Sequence, residues 1–128
     1  MSHPEVAPVA KRLTQEQINR YADASGDHNP IHVDESFAKT TPLGGTVAHG
    51  MLTLASISEM MAAAFGEAWL TRGRLRVRFR AVARPGDTIT ASARPQGGAG
   101  KTLTYAVECR NQLDEVLISG TAEVPARG

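Results

Sequence analysis

The spacing of apolar positions along this chain changes period near residue 70. Before that point apolar residues recur at helical intervals; after it they alternate with polar ones. Thr14-Gln-Glu-Gln17 has the form of a capping box, and Ile18, Tyr21 and Ala22 follow on one helical face. Asp34 predicts the N-cap of a second, short helix over Glu35 to Lys39, with Phe37 buried. Residues 41–48 carry one proline and two glycines, which predicts a loop. From about His49 to Phe65, Met51, Leu52, Leu54, Ala55, Ile57, Met60, Met61 and Ala64 fall on nearly every side of a helix. A helix apolar all round is expected to be buried.

The second half predicts strands. Leu75, Val77, Phe79 and Ala81 alternate with Arg74, Arg76, Arg78 and Arg80, a period of two. Pro85-Gly86-Asp87 predicts a turn, Thr88–Ala93 a strand and Gln96–Gly100 a loop. Thr102–Arg110 predicts the next strand, Asn111–Asp114 a turn and Val116–Val124 the last strand. Short connections between sequential strands imply an antiparallel meander. A buried helix followed by strands predicts one α+β domain over residues 1–128, its sheet wrapped round the helix in the hot-dog arrangement. The small sheet leaves an edge that pairing into a dimer would protect.

Composition narrows the functional classes. The formal net charge of +1 provides no field that would draw the protein to nucleic acid or an anionic membrane. Cys109 is the only cysteine, so an internal disulfide and a cysteine-rich zinc site are excluded. The start, Met1 to Ala7, lacks a basic stretch followed by an apolar run, and a cytoplasmic location is expected. The most apolar stretch, Gly50 to Phe65, is too short to span a bilayer and contains Thr53, Ser56, Ser58 and Glu59.

The densest candidate chemistry lies in residues 25–34, Ser-Gly-Asp-His-Asn-Pro-Ile-His-Val-Asp. Pro30 cannot sit inside a helix and pushes Asn29 to an extended or turn conformation, so the chain bends between Asp27 and His32. A carboxylate and an imidazole facing one point can hold a water and move protons to and from it. Alone, Asp27 would cap its own turn; with His32 close by, function is favoured, a structural hydrogen-bonded pair being the other reading. His28 and His32 invite a metal, but Pro30 destroys the helical spacing that would set both on one face, and no metal is expected.

His49-Gly50 opens the buried helix, where first-turn N–H groups lack intrahelical acceptors and carry partial positive charge. Glycine there admits close approach of an oxygen that gains charge in a reaction, or merely relieves crowding. Ser56 and Ser58 are expected to bond back within the helix. Glu59 needs a partner or an opening to solvent, which favours the helix's wet side or a dimer seam, and an arginine partner. Arg72, Arg74, Arg76, Arg78 and Arg80 predict a solvated strand face, one or two of them able to bind the phosphates of a coenzyme or carrier arm.

On these residues the chain resembles the MaoC-like (R)-specific enoyl-CoA hydratases. Tyr21-Ala-Asp-Ala-Ser25-Gly-Asp27-His-Asn29-Pro-Ile-His32-Val-Asp34 is similar to the hydratase signature. Val47-Ala-His49-Gly50-Met51-Leu52 resembles the second family block, and Val77 to Ile89 the strand and turn after it. The resemblance covers roughly residues 12 to 124, one hot-dog unit. It implies a reversible syn addition of water to a trans-2-enoyl thioester, giving an (R)-3-hydroxyacyl thioester, with no cofactor. By that likeness Asp27 and His32 hold and deprotonate the water and return a proton to the α-carbon, while the Gly50 N–H polarises the thioester carbonyl. Ser25, Asn29 and Ser58 are supporting, and Met51 and Leu54, with Ile57, Met60 and Met61, are candidates to line the acyl pocket. The thioester is carried on coenzyme A or on acyl carrier protein, and the subunit is expected in a homodimer, a higher oligomer or a heterodimer with a related chain. Two other classes share the fold: a thioesterase using Glu59, and an acyl-thioester binder without catalysis.

Overall fold

The computed structural model describes residues 3–126, so the expected unit of 1–128 and the reading of Met1 to Ala7 extend beyond the described residues. The first helix, α1 (Gln15–Ser25), forms where the capping box predicts it. The Thr14 hydroxyl accepts from Gln17 N–H at 3.1 Å, and the Gln17 side chain accepts from Thr14 N–H at 3.3 Å. Gly26 ends the helix in the left-handed region (φ 81°), a conformation that costs glycine nothing. Ile18 and Ala22 form its buried face.

Two single-turn helices follow, α2 (Pro30–Val33) and α3 (Glu35–Ala38). Pro30 does more than bend the chain: it occupies the first helical position of α2, where its missing N–H costs nothing. Asn29 caps α2 by accepting from Ile31 N–H at 3.1 Å, and Asp34 caps α3 by accepting from Phe37 N–H at 3.1 Å. Phe37, expected in the core, is exposed; Ala38 takes the buried place of this turn. A helix this short has no second turn to fix its rotation, and the cap geometry turns Phe37 outward.

The long helix α4 (Gly50–Phe65) lies against the sheet, and α5 (Glu67–Arg72) returns from it. Contrary to the all-round burial expected of it, α4 has two sides: Thr53, Ser56, Ile57, Met60 and Met61 are buried, while Met51 is more than half exposed. Five strands make one antiparallel sheet in the order β1 (Val9–Arg12), β3 (Thr88–Ala99), β4 (Thr102–Arg110), β5 (Val116–Pro125), β2 (Arg74–Phe79). Three of these depart from the simple meander. Strand β2 pairs with β5 rather than β3, so residues 80–87 cross from the β2 edge of the sheet to β3, next to the opposite edge strand β1. Strand β1 precedes α1 and pairs with β3 from Val9↔Ala91 to Arg12↔Thr88. Strand β3 also runs on to Ala99, through all but Gly100 of the expected Gln96–Gly100 loop, with a bulge at Pro95/Gly97. Arg72 falls in α5 rather than on the strand, leaving Arg74, Arg76 and Arg78 on the exposed face of β2.

The core is formed by the inward positions of the sheet and one side of α4. Ile89, Ala91, Tyr105, Val107, Cys109, Leu117, Ile118, Ala122 and Val124 meet Ile57, Met60 and Met61. A sheet wrapped on one long helix is the hot-dog fold, α+β in class. No helix among the described residues is long and apolar enough to cross a membrane.

Candidate active site

The segments before α4 are tied together by backbone and side-chain hydrogen bonds, and this sets the site. Val47 N–H donates to Ile31 O at 3.0 Å, and Ala48 N–H donates to Ala83 O at 2.8 Å. The strand crossover therefore braces the approach to α4. Gln15 of α1 donates through Nε2 to the His32 carbonyl at 2.8 Å, and its Oε1 accepts from the buried Thr46 hydroxyl at 2.7 Å. Glu35 Oε2 lies 3.1 Å from the same hydroxyl, so α1, α2, α3 and the loop meet in one polar cluster behind His32.

Asp27 and His32 come together as the bend predicts. Asp27 Oδ2 lies 3.9 Å from His32 Nε2, too far for a direct hydrogen bond and a fit for one bridging water. The imidazole is buried and the carboxylate half exposed. His32 Nδ1 lies 2.8 Å from the Val47 carbonyl, which can only accept, so Nδ1 carries the proton and Nε2 offers a lone pair. A water placed between the two groups donates one proton to each and keeps its own lone pairs outward. Asp27 also fills its turn role: Oδ1 accepts from Asn29 N–H at 3.2 Å. One carboxylate oxygen shapes the turn and the other faces the imidazole.

A cavity of about 280 Å³ is lined by Tyr21, Ser25, Asp27, His32, His49, Gly50 and Met51. Ser25 accepts from Asp27 N–H at 3.1 Å, and Asn29 holds α2; both orient the dyad's backbone. Gly50 brings the start of α4 to the same cavity. A Cβ there would stand 3.1 Å from the Phe79 ring, so the glycine admits close packing at this point. The N-cap residue His49 makes no side-chain capping bond, so the Gly50 and Met51 N–H groups take no acceptor from it, while Leu52 N–H turns back to the His49 carbonyl at 3.0 Å.

Two sequence candidates lie elsewhere. Ser58 does not line this cavity; its hydroxyl accepts from the Trp69 indole N–H at 3.0 Å. Leu54 is half buried and packs against the core instead of lining the cavity. Ile57, Met60 and Met61 are fully buried core residues, as helix packing by itself would place them. Glu59 is half exposed, as expected, but pairs with Lys11 of β1 rather than with an arginine. It stands nine residues past Gly50, about 13 Å along the helix. His28 faces outward, where its hydrogen bond to Asp23 at 3.0 Å raises its pKa above the usual histidine range.

His49 is the residue that sequence reasoning passed over. Its ring stacks on His32 with centroids 3.8 Å apart and planes 25° apart, and Tyr21 packs on it at 4.8 Å. Its Nε2 lies 2.9 Å from the Asp27 carbonyl. Only its position beside Gly50 hinted at this, because its contacts are all long-range. Asp27, His32 and His49 offer ligand-type atoms within 4.8 Å of one another. The stack is a poor metal cradle, because an ion in the plane of one ring stands out of the plane of the other. The arrangement suits proton handling.

A match to the family described as "MaoC like domain" spans residues 3–116. The chain is 34% identical to an (R)-specific enoyl-CoA hydratase of Rhodospirillum rubrum over 95% of this chain and 87% of that protein. It is 36% identical to the 3-hydroxyacyl-thioester dehydratase Z of Mycobacterium tuberculosis, over 88% of this chain and 72% of that one. The solved structure of the R-hydratase PhaJ1 from Pseudomonas aeruginosa superposes with a TM-score of 0.85 at 26% identity, covering 98% of this chain and 82% of its own. The matched span, these identities and the shared fold establish that this chain belongs to the MaoC-like family.

Proposed function

We propose that this protein is a hydro-lyase that reversibly adds water to a trans-2-enoyl-CoA, giving the (R)-3-hydroxyacyl-CoA. The observation that carries this is the 3.9 Å gap between Asp27 Oδ2 and His32 Nε2, two acceptors separated by the width of a water, beside the open N–H of Gly50. In the hydration direction the bridging water attacks the β-carbon through its oxygen. One of its protons passes to the dyad, the β-carbon–oxygen bond forms, and the double-bond electrons move toward the thioester carbonyl. The Gly50 N–H takes up the charge that develops on that oxygen. The dyad then returns the proton to the α-carbon. Neither acceptor holds a spare proton at the start, so the proton returned is the one removed from water. Oxygen and proton reach the substrate from one side, and the addition is syn.

The same chemistry serves a thioester on acyl carrier protein, so coenzyme A and carrier-bound substrates are separate arms of the test. Incubation with crotonyl-CoA, and with crotonyl carrier protein, is expected to give loss of the enoyl absorbance and (R)-3-hydroxybutyryl product. Release of free thiol without hydration would instead identify a thioesterase, a reading that the distance of Glu59 from the cavity disfavours.

We also infer that a second copy, or a related chain, completes the acyl pocket. Strand β2 pairs on one side only, and Phe79 and Met51 beside the cavity are each more than half exposed. Sedimentation analysis of the purified protein is expected to give a dimer or larger species. The reducing-compartment reading of its single buried cysteine favours the cytoplasm.

A further inference from the structure

His49 is 3% exposed and its Nδ1 is fully buried without a hydrogen-bond partner. Its other nitrogen, Nε2, meets the Asp27 carbonyl at 2.9 Å; a carbonyl only accepts, so Nε2 carries the ring proton. Nδ1 is left as a bare lone pair. A second proton placed there would meet no protein acceptor, a costly state for a buried polar group. His32 is fixed in the opposite tautomer, with Nδ1–H on the Val47 carbonyl and Nε2 open. The two rings, oppositely protonated, lie face to face at 3.8 Å.

We propose that His49 is a positioning residue of the hydro-lyase, holding the Asp27 backbone through Nε2–H and presenting an uncharged ring face to the His32 imidazolium that forms when water is deprotonated. This rests on the reaction proposed above. The first contact sets the carboxylate's place relative to His32, on which the width of the water site depends. The second acts on charge. When Nε2 of His32 takes a proton the ring becomes a cation, and a cation is attracted to the face of a neighbouring aromatic ring. That attraction is to an uncharged His49 ring, whose Nδ1 is buried without a hydrogen-bond partner. The N-cap position adds a third consequence. Serine, threonine, aspartate or asparagine there would offer an acceptor to the first turn of α4, whereas His49 turns its side chain to Asp27 and leaves the Gly50 and Met51 N–H groups without a side-chain cap.

Two variants separate the contacts. His49→Gln keeps an amide donor within reach of the Asp27 carbonyl and removes the ring. Its kcat is expected to fall about 2- to 30-fold, the span of an aromatic–cation contact, with KM within about twofold. His49→Phe keeps a ring on His32 and removes the donor, and kcat is expected to fall about 10- to 100-fold through displacement of Asp27. A rise in KM at unchanged kcat, or full activity in both variants, would overturn the proposal. The wild-type protein supplies a test that needs neither folding of a variant nor activity. Nitrogen-15 spectra at neutral pH are expected to show His49 protonated at Nε2 with a bare Nδ1, and His32 protonated at Nδ1. A proton on Nδ1 of His49 would refute the proposal. A wild-type enzyme inert toward enoyl thioesters would instead refute the reaction, leaving the tautomer result to decide the role of His49.

Discussion

In the proposed reaction Asp27 divides its two oxygens between structure and chemistry, and that division explains why a half-exposed residue can be held in place. Oδ1 accepts from Asn29 N–H, the Asp27 N–H donates to Ser25, and its carbonyl accepts from His49. Only Oδ2 remains for the water site. Gly50 completes the set from the other side. Gly50→Ala would push a methyl toward the Phe79 ring at 3.1 Å; that ring is half exposed and can yield. Thermal stability is therefore expected to change little, while kcat falls about tenfold or more as the N–H is screened. Unchanged kcat would remove Gly50 from the account. Ser58 makes the opposite case. Ser58→Ala leaves the buried Trp69 N–H without an acceptor and is expected to cost about 1–3 kcal/mol in denaturant unfolding, with kcat and KM unchanged.

At the scale of elements, the site is a meeting of helix ends. α1 ends just before Asp27, α2 begins between Asp27 and His32, and α4 begins at Gly50. Each end has a local mark in the sequence: Gly26 after α1, the Asn29-Pro30 step before α2, and Gly50 at the start of α4. That is why the bend bringing Asp27 to His32 was legible in the chain. Clamping of these ends was not legible, because it depends on pairs far apart in sequence, such as Gln15 with Thr46 and His49 with Asp27. The sidedness of α4 was also hidden, since apolar residues around a helix do not reveal which of them meets a sheet. Gln15→Ala tests the clamp. It removes the donor to the His32 carbonyl and one of the two acceptors at the Thr46 hydroxyl, Glu35 remaining, and is expected to cost about 1–3 kcal/mol. The kcat is expected to fall while KM holds, because His32 loses its brace and the cavity keeps its lining. A loss of stability with full kcat would show that the clamp serves only folding.

Over the whole molecule, the crossover from β2 to β3 links the sheet to the site. Residues 80–87 pass from the β2 edge to β3 beside the β1 edge, give Ala83 O to Ala48 N–H, and reach Leu13 through Asp87. Alternation of Arg74 to Ala81 revealed a strand, but period alone cannot choose its neighbour, and so the crossover and β1 were missed. Core positions of β4 were legible, since it buries every second residue, whereas β5 buries Leu117 and Ile118 in succession before Ala122 and Val124. Cys109 lies in that core, where burial pushes its thiol pKa up against a smaller opposing effect of the Ser56 hydroxyl. The native protein is expected to resist thiol reagents at mildly alkaline pH and to react once unfolded. Rapid labelling of the native state would show that the core opens readily.

The central claim, that Asp27 and His32 act as one proton-handling unit on a shared water, is tested most directly by their single and double variants. Hydration of crotonyl-CoA would be followed in wild type, Asp27→Asn, His32→Ala and the combined variant, each checked for folding. Each single change is expected to lower kcat by about 10²- to 10⁴-fold, and the double to be little worse than either, as groups acting together do. Single variants within about threefold of wild type, or independent losses that multiply in the double, would contradict the account.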